Sequence, residues 1–115
     1  SNPDGVKYTL EYLKRYSGRK VVVLADMLEL GVFSSDSHAE LVEALIDANI
    51  DVLFTLGEET RAIKSDKFYI EHFNSKDSLH TQLKNELKTN DNVLVKGSRA
   101  FKMEETVDFI TNHVN

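Results

Sequence analysis

With 115 residues, 41% hydrophobic and 29% charged, the chain is long enough for one domain with a real core and too short for two. Its formal charge of −5 argues against a general nucleic-acid binder, and no apolar run approaches the roughly 20 residues that cross a bilayer, so neither nucleic acid nor membrane is an expected partner. The absence of cysteine removes disulfides, thiol nucleophiles and thiolate metal sites, in keeping with a cytoplasmic protein.

The start of the chain lacks the positive and then apolar layout of a signal peptide. After Asn2-Pro3, Asp4 is placed to cap a first helix whose buried stripe is Val6, Leu10 and Leu13, ended by Ser17-Gly18. Tyr8, Tyr12 and Tyr16 recur every four residues on that helix, a spacing that suits packing or docking against another domain. Val21-Val22-Val23-Leu24 is an unbroken apolar run, too short for a helix, and predicts a strand buried on both faces. Ser37 and Glu40 have the spacing of a reciprocal capping pair, so a second helix is expected from Ser37, burying Leu41, Ala44, Leu45 and Ala48.

Val52-Leu53-Phe54 predicts a second buried strand, and Gly57-Glu58-Glu59 opens a short helix with acidic residues at its positive end. Phe68-Tyr69-Ile70 is the expected third strand. From Ser75 a helix presents Leu79, Leu83 and Leu87, and Asn90-Asp91 turns the chain into a fourth strand, Asn92-Val93-Leu94-Val95. A last helix follows with Met103, Val107, Ile110 and Val114 on one face. Alternating strands and helices imply an α/β fold: a Rossmann-like, doubly wound sandwich with a mainly parallel sheet of four strands and helices on both faces.

Ligands of open parallel sheets bind at the carboxyl ends of the strands, which directs attention to three loops. Asp26 and Glu29 follow the first strand, Gly57 and Glu58 the second, and Lys96-Gly97-Ser98-Arg99 the fourth. Asp26 suits a ribose, a metal or an amine, and equally a turn or cap. The fourth-strand loop joins two cations, a glycine and a hydroxyl ahead of a helix, a composition suited to carboxylate or phosphate. No Walker A or Gly-x-Gly-x-x-Gly spacing occurs. His38, at a helix start, is either a surface or a catalytic residue. His72, His80 and His113 are scattered without metal-ligand spacing and are expected to face solvent.

The stretch VVVLADMLELG, then His38, DVLFTLGE and VLVKGSRAFKMEE, resembles in order and spacing the C-terminal domain of the Mur ligases over almost the whole length. Asn2-Pro3 resembles the end of that family's Tyr-Asn-x-Asn-Pro segment. Two positions depart from the family pattern: Ala25 and Ala100 stand where glycine is usual, each a tolerated methyl group unless the backbone there has positive φ.

The resemblance implies an ATP-dependent amide-forming ligase of peptidoglycan precursor synthesis in the bacterial cytoplasm, acting as a monomer. Its nearest branch joins D-alanyl-D-alanine to UDP-N-acetylmuramoyl-tripeptide. A central domain, absent here, would carry the phosphate loop and Mg2+ ligands and form an acyl phosphate with ATP. This domain, inactive alone, would close over the nucleotide and help place the dipeptide. By position, Asn2, Asp26, Glu29, His38, Lys96, Ser98 and Arg99 are the implied substrate- or nucleotide-binding residues, with no catalytic residue or metal ligand in this domain. Alternatives remain: another Mur or folylpolyglutamate-type ligase, a free-standing docking domain using the tyrosines, or a phosphoacceptor receiver domain. The last lacks the acidic pair and the strand-ending aspartate it needs.

Overall fold

A computed structural model of the chain describes residues 3–27 and 35–114. Among the described residues four α-helices and four strands follow in the order α1 (Pro3–Leu13), β1 (Lys20–Ala25), α2 (Ser35–Asp47), β2 (Val52–Leu56), β3 (Tyr69–Phe73), α3 (Lys76–Glu86), β4 (Asn92–Lys96) and α4 (Glu104–His113), alternating except that β2 and β3 are joined by a 3-10 turn where a short helix is expected. Single-turn 3-10 helices, Thr60–Ala62 and Arg99–Phe101, follow β2 and β4. The sheet is all parallel in the order β3-β2-β1-β4, as the alternation implies.

Strand geometry sends successive side chains to opposite faces, and both faces of this sheet are covered. From β1, Val22 and Leu24 join Leu53, Val6 and Leu10 of α1, and Leu41 and Leu45 of α2 in one core layer. Val21, Val23 and Ala25 join Phe54, Phe73, Leu79 and Leu83 of α3, and Met103 in the other. Every β1 residue after Lys20 is therefore buried, which is why the run reads as unbroken rather than alternating.

Several local expectations shift. The first helix starts at Pro3, a position that needs no N–H donor, so Asp4 lies inside it rather than capping it. α2 starts at Ser35, two residues ahead of the expected capping serine, and Glu40 is exposed and paired with Lys7 at 3.2 Å. The third strand runs over Tyr69–Phe73 rather than from Phe68 to Ile70; as an edge strand it buries fully only Phe73, and the polar Glu71 and His72 interrupt its apolar run and hide its length. On α4, Val107 is 46% exposed and Thr106 takes the buried position instead.

The connection between α3 and β4 is pinned by Arg19, whose guanidinium donates to both carboxylate oxygens of Asp91 at 3.1 and 2.8 Å and to the Glu86 carbonyl at 2.8 Å. Burial raises the Asp91 pKa, but the hydrogen bonds from Arg19 and the Lys88 N–H outweigh it and hold the carboxyl below its ordinary value. Tyr8, Tyr12 and Tyr16 stay exposed, with Tyr8 and Tyr12 edge-to-face at 5.6 Å. Among the described residues no helix is long and apolar enough to cross a membrane.

Candidate functional site

The carboxyl edge of the sheet is assembled around Asp26, the residue after β1, which is only 2% exposed. A buried carboxylate needs compensating donors, and here they come from the backbone. Its Oδ2 accepts from the N–H groups of Glu58 and Glu59 at 2.8 and 2.9 Å, and its Oδ1 accepts from Thr60 N–H at 2.9 Å. The Asp26 N–H donates to the Leu56 carbonyl at 3.1 Å, while its own carbonyl accepts from Ser98 N–H at 2.9 Å. One residue thus ties together the ends of β1, β2 and β4. Gly57 makes this possible: its φ is +118°, and a Cβ there would lie 2.4 Å from the Asp26 carboxyl carbon.

Beyond β4, Gly97 lets the loop lie against β1, since a Cβ would sit 2.7 Å from the Ala25 Cβ and 2.9 Å from Met103 Cγ. Neither Ala25 nor Ala100 has positive φ, so the two departures from the family's glycines carry no backbone strain of that kind. Ser98 is 2% exposed, and its hydroxyl is buried with no hydrogen-bond partner. Buried polar atoms are nearly always paired, so this hydroxyl is an exception in the packing of the strand-end loop. Arg99, exposed, opens the 3-10 turn, and Lys96 pairs in register with Leu24. Leu94 packs in the layer with α1 and α2, so the two-residue strand period sends Lys96 to the same face.

Of the residues singled out from sequence, the structure joins Asp26 and Ser98 through a backbone hydrogen bond, and Lys96 and Arg99 flank Ser98 along the chain. Asn2 and Glu29 lie outside the described residues; His38 is within α2, with its side chain also outside them. Asp26 stands as the anchor of the edge, its oxygens already accepting three amides, which leaves little of it for an incoming ammonium or for phosphorylation as in a receiver domain. Among the described residues no group of three or more His, Asp or Glu could hold a metal ion.

Two histidines expected in solvent are instead part of the packing. His72 Nδ1 lies 2.7 Å from Thr55 Oγ1, and burial, then the charges of Arg61 and Lys64, lower its pKa against the opposing pull of Asp26 and Glu58. His80 Nε2 lies 2.8 Å from Thr106 Oγ1 and its ring stacks on Phe109 at 4.5 Å; burial first, then Lys76, lowers its pKa. His113 is exposed, as expected. Thr60 and Thr55 were not legible as site residues. Thr55 alone carried a signal, as the single polar residue of an apolar strand.

A profile for the Mur ligase, glutamate ligase domain, matches residues 1–99, which include the whole edge described above. The chain is 35% identical over 109 residues to the UDP-N-acetylmuramoyl-tripeptide--D-alanyl-D-alanine ligase of Escherichia coli strain K12, covering 93% of this chain and 24% of that protein. The ligase of the same name from Rickettsia prowazekii is 31% identical over 113 residues, covering 95% and 25%. The crystal structure of MurF ligase from Thermotoga maritima in complex with ADP superposes with a TM-score of 0.80 at 29% identity, over 98% of this chain and 26% of that one. The chain thus spans about a quarter of the length of the relatives it matches.

Proposed function

The chain belongs to the Mur ligase, glutamate ligase domain, family, and we propose that it is the C-terminal part of an ATP-dependent ligase that joins D-alanyl-D-alanine to UDP-N-acetylmuramoyl-tripeptide. The observation that carries this reading is the Ser98 hydroxyl, buried without a partner between Lys96 and Arg99, in a loop inside the family match. Two cations and an unpaired hydroxyl at the carboxyl edge of a parallel sheet suit an anionic group, either the dipeptide carboxylate or a phosphate.

In this reading ATP supplies activation of the tripeptide carboxylate, and a central domain in cis holds the nucleotide phosphates and Mg2+. The donor set here suits that division of labour: the edge offers hydroxyl, amide and cationic donors suited to oxygen anions. Lys96, Ser98 and Arg99 orient the incoming dipeptide so that its amine meets the activated carbon, and Asp26 fixes the loops that carry them. Closure of this domain over the central one excludes water that would hydrolyse the activated acid. The work is done in the bacterial cytoplasm by a monomer.

The test is ADP release by the intact protein with ATP, magnesium and both substrates. The reading predicts release that depends on D-alanyl-D-alanine and on UDP-N-acetylmuramoyl-tripeptide together, and none from the 115-residue chain alone. Product formation by the isolated chain, or turnover indifferent to the dipeptide, would overturn it.

A further inference from the structure

A cleft of about 500 Å3 opens on the opposite flank of the sheet from the Lys96 loop. Thr55 and His72 form its floor, Ile63 and Ile70 its walls, and Arg61, Lys64 and Asp66 its rim. Thr55 and His72 are register partners on β2 and β3, and the same row continues through Leu24 to Lys96. Three inter-strand steps of about 4.8 Å put His72 and Lys96 about 14 Å apart along the backbone, so the cleft is separate from the Lys96 loop, while Arg61 shares the 3-10 turn of Thr60, whose N–H donates to Asp26.

The floor contains a donor without an acceptor. Thr55 is fully buried, and its hydroxyl lies 2.7 Å from His72 Nδ1. If the ring donated from Nδ1, the Thr55 proton and the Nε2 lone pair would both lack partners. If the hydroxyl donates to Nδ1, only the Nε2–H is left over, so the second arrangement satisfies more groups. His72 Nε2 is indeed buried without a hydrogen-bond partner. Beside it stands Arg61, 53% exposed, whose Nη2 donates to Asn74 Oδ1 at 2.7 Å.

We infer that this cleft binds an oxyanion, a carboxylate or phosphate group, whose oxygen accepts from His72 Nε2–H while Arg61 and Lys64 neutralise its charge. At the rim Arg61 and Lys64 face the carboxylate of Asp66 and that of Glu58, whose Oε1 lies 3.7 Å from Arg61 Nη2 and is 88% exposed, so an anion entering the cleft takes the place of that loose, solvent-exposed contact. The apolar walls of Ile63 and Ile70 strengthen those charges by excluding water. The lowered pKa of His72 keeps the ring neutral at pH 7, so its donor is available without a proton being taken up. This inference is independent of the ligase reading.

Imidazole and guanidinium 15N–1H spectra of the 115-residue chain, titrated at constant ionic strength with sodium phosphate and separately with sodium acetate, test it. A saturable shift at His72 and Arg61 with either salt is the expected result, and the salt that saturates at lower concentration identifies the phosphate or the carboxylate class. In Arg61→Gln/Lys64→Gln, both surface changes that leave the fold intact, the affinity should fall at least about tenfold. Shifts that never saturate with either salt, that persist undiminished in the double variant, or that appear at Arg99 instead of His72 would overturn the assignment.

Discussion

Replacing Asp26 tests how the carboxyl edge is held. Its carboxylate accepts three backbone N–H bonds of 2.8 to 2.9 Å while 2% exposed. Hydrogen bonds to a charged group are worth about 1.5–3 kcal/mol each, but the three are not additive. In Asp26→Ala the amides of Glu58 and Glu59 lie in residues that reach solvent and can be rehydrated, whereas Thr60 is 1% exposed and its N–H would be left orphaned. The net cost should be about 3–5 kcal/mol, a large share of the roughly 5–15 kcal/mol typical of a domain. In Asp26→Asn one oxygen still accepts, but the new amide group confronts an N–H with its own donors, so the loss should be smaller than for alanine. Urea unfolding followed by far-UV circular dichroism measures both, and the alanine midpoint should fall by about 2 M at a typical slope. An alanine variant within about 1 kcal/mol of the parent, or an asparagine variant less stable than alanine, would refute the anchoring argument.

Three further outcomes follow from the same geometry. Gly57→Ala forces a Cβ into the Asp26 carboxylate and a side chain onto positive φ, and should cost about 3 kcal/mol or more in the same unfolding assay. Gly97→Ala should cost about 1–3 kcal/mol by overpacking against Ala25, and adding Ala25→Gly should recover much of it, giving a coupling of about 0.5–3 kcal/mol in a double-mutant cycle. His72 and His80 both have folded pKa values below the ordinary histidine value, so the stability they contribute is fully present above pH about 6.5 and is lost as pH falls toward their folded values. Melting temperatures between pH 7.5 and 5 should show that loss, and His80→Gln should flatten the profile.

The parallel sandwich was legible because its evidence is local: Val21 to Leu24 cannot be exposed on either face, and each leucine stripe repeats at helical spacing. Asp26 was visible as a residue worth attention, yet its role was not, because its donors come from residues 58–60 and no local pattern records that pairing. On α4 both Thr106 and Val107 fit the spacing from Met103, and hydropathy favours valine. Thr106 is nevertheless the buried residue, because His80 of α3 meets its hydroxyl across the helix pair. The same kind of distant partner hides His72, whose environment depends on Thr55 in the neighbouring strand. The Lys96-Gly97-Ser98-Arg99 loop was legible as chemistry, but only the fold shows that the serine hydroxyl is buried without a partner.

That hydroxyl offers the most direct test of the central claim, that the β4 loop receives a substrate group. Ser98→Ala removes an unsatisfied buried polar atom, so the 115-residue chain should unfold at the same urea concentration or be more stable by about 1 kcal/mol. In the intact ligase the same change should lower kcat/KM for D-alanyl-D-alanine by about tenfold, about 1.4 kcal/mol of transition-state stabilisation. Unchanged kinetics, or a kinetic loss matched by an equal loss of stability, would contradict the account.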